Sequence, residues 1–220
     1  MSDKADMPTA DSAHSYVREP AEIYRRSFEI VSSEADLAAL PQEMRPVLTR
    51  MIHACGMVDI VKDVAFSKNA AAAGQAALAQ GSAIYCDVEM VRNGIIQSRL
   101  PADNAVRCTL NDPRVVEHAK TIHNTRSAAA VDFWDDLDGS VVVIGNAPTA
   151  LFRLLERVAE GAGKPALVIG IPVGFVGAVE SKEALADFAS PALEFITLHG
   201  RRGGSAIASS VVNALCGGLS

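Results

Sequence analysis

Residues 141–172 read VVVIGNAPTALFRLLERVAEGAGKPALVIGIP, and the rhythm of this stretch recurs through most of the chain. An apolar run that begins at Val141 is followed by a turn, a helical pattern from Pro148 and a second apolar run that begins at Ala166. Apolar runs of this length, rich in β-branched residues, suit strands that are buried on both faces of a sheet. Strand, helix and strand in this order predict a right-handed parallel crossover.

The same pattern extends to both sides of this stretch. Further short apolar runs, each followed by a turn and a helical segment, are AIYCDV, AVRCTL and EFITLH, beginning near Ala83, Ala105 and Glu194. The chain is therefore predicted to be an α/β protein with three α/β/α layers and a mostly parallel sheet of about five strands. Additional N-terminal helices are expected from Pro20 and around Met51, the second ending at Gly56. Residues 1–15 are predicted to be a mobile tail and residues 16–220 a single domain.

Composition narrows the class of protein. Of 220 residues, 49% are hydrophobic and 21% are charged, which is typical of a globular protein. The net charge of -6 argues against general nucleic-acid binding, because such binding needs a basic face. The longest apolar run is interrupted by Pro172 and three glycines and is too short to span a membrane. The four scattered cysteines and the absence of an apolar leader predict free thiols and a cytoplasmic location.

The turns that follow the strands are candidate binding sites, because ligands of such sheets bind beyond the carboxyl ends of the strands. Three of these turns carry glycines and precede a helix, which offers backbone N–H groups to anions. The alternative is that the glycines only permit tight turns. In the last of these turns, GRRGGSA, the candidate ligand contacts are Arg201, Gly203, Gly204 and Ser205.

Standard catalytic and nucleotide-binding motifs are missing. No G-x-G-x-x-G or G-x-S-x-G pattern occurs, and GAGKP at residues 161–165 precedes a strand where a phosphate loop would follow one. His118 and His123 are five residues apart and do not share a helical face, so metal binding has little support. The sequence predicts no metal and no cofactor.

Two further candidates combine a cation with a favourable position. Arg126 opens an alanine-rich helix in NTRSAAA, where it could bind a carboxylate bidentately or make only a surface contact. Arg50 and His53, in RMIHACGM, are three residues apart on a predicted helix and share a face. His53 is either a core histidine bonded to a carbonyl group or part of an anion-lined cavity. The nearby cation favours the cavity.

Several segments taken together resemble the precorrin-8X methylmutase family, from about Tyr16 to Leu215: YRRSFEI, RMIHACGM, CTLNDPRV, NTRSAAA, IGNAPTALFRLLE, GIPVGFVGAVESKEAL and GRRGGSA. The resemblance implies a three-layer homodimer of vitamin B12 (cobalamin) biosynthesis with its tetrapyrrole near the subunit interface. It implies isomerisation of precorrin-8X to hydrogenobyrinate by a 1,5-sigmatropic methyl shift from carbon 11 to carbon 12. His53 would be the proton donor and acceptor, Ser27 and Arg50 would bind substrate, and Arg126 would be a further contact.

Some features of the chain depart from the family pattern, and other functions remain open. Ile96 and Gln97 stand where relatives often have a threonine and a basic residue, and His123 replaces a more usual glycine. A methyl shift within one molecule needs no methyl donor or redox cofactor. The alternatives are a corrinoid-binding or carrier protein without activity, a cobalt-precorrin-8 methylmutase, and a nucleotide-binding module, against which the missing phosphate motifs argue.

Overall fold

A computed structural model describes residues 16–188 and 193–217, so the predicted mobile tail lies outside the described residues. The helices of the described part are α1 (Pro20–Glu34), α2 (Arg45–Cys55), α3 (Ala70–Ala79), α4 (Glu89–Gly94), α5 (Val115–Thr121), α6 (Arg126–Val131), α7 (Pro148–Ala159), α8 (Ala178–Phe188) and α9 (Ser205–Leu215). Its strands are β1 (Val64–Phe66), β2 (Ile84–Cys86), β3 (Val106–Cys108), β4 (Val141–Ile144), β5 (Leu167–Gly170) and β6 (Phe195–Leu198).

The described strands form one sheet in the order β1-β6-β5-β4-β2-β3. Strands β2 to β6 are parallel and coincide with the five predicted apolar runs, which confirms the mostly parallel sheet. The prediction of about five strands missed β1, which is antiparallel to β6 with Val64 opposite Leu198. The chain runs outward in both directions from the space between β2 and β4, as in other doubly wound sheets.

Alternating side chains of the buried strands divide the core into two layers. In β4, Val141 and Val143 belong to the core on the side of α2, α3 and α9. Val142 and Ile144 belong to the core on the side of α6, α7 and α8. Because successive side chains of a strand point to opposite faces, continuous apolar runs build both cores at once. The predicted three layers are therefore confirmed.

Both predicted N-terminal helices are present, and they lie on one side of the sheet. Pro20 is in the first turn of α1, and α2 ends at Gly56, whose φ of 69° is left-handed and suits glycine. Helix α2 packs extensively against α9, whereas α1 packs mainly against α2 and exposes much of its surface. None of the described helices is long and apolar enough to cross a membrane.

Candidate active site

His53 and Ser27 meet where α1 crosses α2. The Ser27 Oγ lies 2.7 Å from the Nδ1 of His53, across a separation of 26 residues in the chain. Both side chains are half-buried. Since the hydrogen bond occupies Nδ1, Nε2 is the ring nitrogen left to meet a ligand. A Ser27 hydroxyl that donates to Nδ1 places the proton of the neutral imidazole on Nε2.

Aromatic rings of α1 pack around the same imidazole. The ring centroids of Tyr24 and Phe28 lie 5.4 Å and 5.3 Å from that of His53. The guanidinium of Arg50 lies 5.7 Å from the centroid of Phe28, and Arg50 is only 5% exposed. His53 is therefore packed by rings and held by a side-chain hydroxyl, and the buried cation Arg50 belongs to its own helix.

The electrostatic setting of His53 favours the neutral imidazole. Burial lowers the pKa of His53 below the ordinary value of 6.5, and the positive charge of Arg50 lowers it further. Burial also lowers the pKa of Arg50, and the positive charge of Arg99 adds to that effect. In the ligand-free protein at neutral pH, His53 is thus a neutral hydrogen-bonding group beside a buried cation.

Two grooves run along opposite sides of α1. The smaller has a volume of about 400 Å³ and is lined by Ser27, Ile52 and His53, among others. The larger has a volume of about 970 Å³, and its walls include Tyr24, Phe28 and Arg99. His53 itself lines the smaller groove, and Tyr24 and Phe28, which line the larger one, also contact His53.

The predicted turn after β6 is joined to the segment that follows His53. Arg202 forms ion pairs with Asp59, at 2.7 Å, and with Asp63. These pairs fix the turn against the short 3₁₀ segment between α2 and β1. Arg201, its neighbour, is exposed, and its guanidinium lies 5.3 Å from the ring centroid of Phe175. The predicted contact Arg201 thus lies at the carboxyl edge of the sheet, beside an exposed aromatic ring.

The other candidates of this turn have internal contacts. The backbone N–H of Gly204 donates to the carbonyl of Ile171 at 2.9 Å, so it is not available to an anion. A Cβ on Gly203 would lie 2.5 Å from the carbonyl oxygens of Ile171 and Pro172. Ser205 is buried at the start of α9. The structure therefore gives Gly203 and Gly204 a packing role, and a ligand contact by these residues or Ser205 stays a prediction.

A buried lysine that sequence reasoning missed fastens two turns of the carboxyl edge together. Lys182 of α8 is fully buried and donates to the carbonyls of Pro172, at 3.1 Å, and Arg202, at 2.8 Å. Burial lowers its pKa to about 8, while the charge of Asp63 acts in the opposite direction. Nothing in the segment ESKEAL distinguishes this lysine from an exposed helical one.

The turn after β4 already holds an internal anion. The buried carboxylate of Asp87 accepts the backbone N–H groups of Gly145, Asn146 and Ala147 at 2.8–3.0 Å. Burial raises the pKa of Asp87, and the three backbone hydrogen bonds act to lower it. This is the point between β2 and β4 at which doubly wound proteins bind ligands. The expectation that this turn offers free N–H groups to an anion is therefore wrong.

Arg126 lies in the other helical layer. It starts α6, which packs against α5 and α7, whereas His53 and Arg50 belong to the layer of α2 and α9. The Nη2 of Arg126 donates to the carbonyl of Leu110 at 3.1 Å, and the side chain is exposed. A single chain therefore brings Ser27, Arg50 and His53 together but leaves Arg126 across the sheet.

The residues that sequence reasoning missed differ in how well they could have been found. Tyr24 and Phe28 are four residues apart in YRRSFEI and flank Ser27, so a helical projection of α1 places them on the face of Ser27. Asp87 and Lys182 act on backbone groups that are distant in the chain. No local sequence pattern predicts such contacts.

The four cysteines of the chain are free thiols in the structure, as predicted. Cys86 is buried and the other three are half-buried. Burial raises the pKa of each thiol, to about 11 for Cys108 and Cys216. Thiolates are therefore scarce near neutral pH, and the cysteines are not candidate nucleophiles.

Comparison with known proteins gives a consistent answer. A family model described as precorrin-8X methylmutase matches residues 22–217. The precorrin-8X methylmutase of Pseudomonas aeruginosa is 56% identical over 91% of this chain and 96% of its own length. That of a Sinorhizobium species is 50% identical over 92% and 96%. The cobalt-precorrin-8 methylmutase of Salmonella typhimurium is 39% identical over 91% of this chain and 96% of its own length.

A solved structure agrees in fold as well as in sequence. The precorrin-8X methylmutase of Thermus thermophilus superimposes with a TM-score of 0.79 at 37% identity, covering 88% of this chain and 95% of that one. The family match, the relatives and the structural neighbour together span the sheet, both helical layers and the segment that carries His53. The chain therefore belongs to the precorrin-8X methylmutase family, the isomerases that move a methyl group in cobalamin biosynthesis.

Proposed function

We propose that this protein converts precorrin-8X to hydrogenobyrinate by a 1,5-sigmatropic shift of a methyl group from carbon 11 to carbon 12, with His53 managing the proton of the macrocycle. The observation that carries this assignment of His53 is its hydrogen bond to Ser27 inside a ring-lined, partly buried site.

The reaction requires a binding site that fits the macrocycle, excludes water and controls where charge lies on the tetrapyrrole. The methyl group moves within one molecule, so no donor or electron acceptor enters the balance. Protonating or hydrogen-bonding a ring nitrogen withdraws electrons from the carbon that receives the methyl group. With Nδ1 held by Ser27, Nε2 of His53 is the atom that would give and take back this proton. Such general-acid assistance is typically worth about 10²–10⁴ in rate.

Substrate binding is proposed to combine apolar walls with a few cations. Arg50 is buried next to Phe28 and Arg201 stands at the carboxyl edge, and both suit the acetate and propionate arms of a tetrapyrrole. Arg126 remains a proposed contact that one subunit does not bring to His53. A homodimer with the tetrapyrrole near its interface would let a second helical layer reach the same ligand, which supports the proposed dimer. The cytoplasm remains the expected location.

The metal-free substrate is favoured over its cobalt-containing analogue. The relatives named precorrin-8X methylmutase are 50% and 56% identical to this chain, whereas the Salmonella typhimurium relative named cobalt-precorrin-8 methylmutase is 39% identical. Mixing the protein with each substrate and following the visible spectrum tests this choice. Faster conversion of cobalt-precorrin-8 would reverse the preference. A spectral shift on binding without conversion of either substrate would indicate that the protein is a corrinoid carrier without activity.

Replacing His53 tests its proposed role directly. We expect His53→Ala to lose about 10²-fold or more of the single-turnover rate while it still folds and binds hydrogenobyrinate. His53→Gln is the matched variant, because its amide can still bond Ser27 but cannot carry a proton through this pH range. Melting temperature, product affinity and single-turnover rate should be measured on the same preparations. A well-folded variant that turns over at nearly the wild-type rate would contradict the mechanism.

A further inference from the structure

The larger groove beside α1 contains a cation whose charge is not balanced. Arg99 lies at the end of a short 3₁₀ turn after α4, is exposed, and contributes to the wall of the 970 Å³ groove. Among the described residues, no carboxylate lies within ion-pairing distance of its guanidinium. An arginine without an acidic partner at the edge of an apolar groove is well suited to an anion from outside.

A second arginine of the same groove, Arg25, has its charge neutralised by acidic side chains. Arg25 donates to Glu22 at 2.7 Å and to Glu29 at 2.5 Å, so two carboxylates of its own helix neutralise it. These acids raise the pKa of Arg25, and hydrogen bonds from Arg25 and Arg26 lower the pKa of Glu22 to about 2. The groove therefore has one arginine that is already paired and another that is not.

Arg99 also acts on the proposed active site. Its positive charge lowers the pKa of the buried Arg50, so the two guanidinium groups repel each other. Part of the groove wall is formed by the rings of Tyr24 and Phe28, which also contact His53. An anion bound at Arg99 would relieve this repulsion.

We propose that Arg99 binds a carboxylate arm of the tetrapyrrole in the larger groove and thereby positions the macrocycle against the Tyr24–Phe28 wall. This inference rests on the proposed function, since it takes the substrate to be a tetrapyrrole with several carboxylate arms. A ligand of this kind is large and flat, and the groove is at the upper end of the 300–1,000 Å³ that is usual for ligand pockets. Arg99 is then a positioning residue and takes no part in proton transfer.

The test compares an acidic ligand with its neutral counterpart on matched variants. Hydrogenobyrinate and its fully methyl-esterified derivative should be titrated into wild-type protein, Arg99→Gln, Arg99→Lys and Arg25→Gln, with the visible absorption of the corrin as signal. We expect Arg99→Gln to weaken binding of the acid about tenfold or more, as for loss of a charged hydrogen bond, and binding of the ester by less than about twofold. Arg99→Lys should recover part of the loss. Arg25→Gln, which removes the same charge from the same groove, should bind both ligands nearly as wild type does.

Kinetics give a second and independent readout. Arg99→Gln should raise KM for precorrin-8X and leave kcat within about twofold of wild type, because Arg99 holds the substrate in ground and transition states alike. Wild-type affinity of Arg99→Gln for the acid, or equal losses for acid and ester, would overturn the inference and leave the proposed function intact. Failure of the wild-type protein to bind hydrogenobyrinate would overturn both.

Discussion

At the scale of single residues, the placement of His53 follows from two opposing requirements. A proton carrier works best when its pKa is near the ambient pH, yet an imidazole among rings and beside Arg50 has a lowered pKa. The carboxylate arms of a bound tetrapyrrole would act in the opposite direction and raise it. If His53 is the proton carrier, as proposed, it would be neutral when the site is empty, and the substrate would supply the charge that favours the imidazolium.

This balance predicts a difference between two pH profiles. A lowered pKa means that the imidazolium of the free protein is lost as pH rises through a value below 6.5. If the imidazolium is the proton donor, kcat/KM should fall with rising pH from an inflection below 6.5, and the inflection of kcat should lie at higher pH, because kcat reports the substrate complex. Stopped-flow kinetics over pH 5 to 9 measure both profiles.

His123→Asn is the control for these profiles. His123 is exposed, lies away from α1 and α2, and has a left-handed φ of 51°, which asparagine tolerates well. Both inflections should be unchanged in this variant. Coincident inflections of kcat and kcat/KM in the wild-type protein would mean that bound carboxylates do not control the charge of His53.

At the scale of elements, the turns at the carboxyl edge are held by contacts that leave little free space. The backbone of Gly203 approaches the carbonyls of Ile171 and Pro172, and Lys182 bonds the carbonyls of Pro172 and Arg202. Arg202 in turn pairs with Asp59 and Asp63, which lie just beyond the helix of His53. The glycines Gly203 and Gly204 of this turn therefore have internal contacts, and their contact with a ligand stays a prediction.

Gly203→Ala should break this junction. Its added Cβ would meet two backbone oxygens at 2.5 Å, and backbone cannot rotate away as a side chain can. We expect a loss of about 1–3 kcal/mol in the free energy of unfolding, typical of overpacking, and weaker substrate binding. Urea denaturation measures the first effect. Gly217→Ala is the control, since an added Cβ there meets none of the described residues within 4 Å. Equal stabilities of the two variants would show that the junction can relax.

At the scale of the whole molecule, the described part of one chain leaves the candidate site open. Both grooves are open along α1, and this helix exposes Ile23, Tyr24 and Ile30 by 41–54%. Arg126 lies on the far side of the sheet from His53. Exposed apolar side chains beside an open site are typical of surfaces that another chain or a ligand covers.

We therefore expect the protein to be a homodimer at the concentrations of its assay. Sedimentation velocity at micromolar concentration should show a single dimeric species, and dilution that dissociates it should lower activity per subunit. The physical reason is that the ligand needs more enclosing surface than one layer of helices provides. A monomer with full activity would contradict this expectation and would place the whole site within one chain.

Local sequence signals were sufficient for much of the fold. The five parallel strands were recognisable as apolar runs, and Pro20, Gly56, Pro148 and Ser205 marked helix ends, because strand burial and helix termination depend on neighbouring residues. The segment around His53, together with the other shared segments, was also sufficient to indicate the family. Strand β1 escaped detection because its three residues are half-buried and are stabilised by pairing with β6.

The contacts that make the site depended on tertiary structure. Ser27 reaches His53 across 26 residues, and Asp87 reaches the turn after β4 across 58 to 60. The sequence determined which residues could accept protons or bind anions, since that is a property of the side chain. Packing of helices on the two faces of the sheet decided which of these residues meet. It brought His53 into contact with Ser27 and the aromatic rings, and it placed Asp87 in the turn after β4. It also left Arg126 on the other side of the sheet from His53.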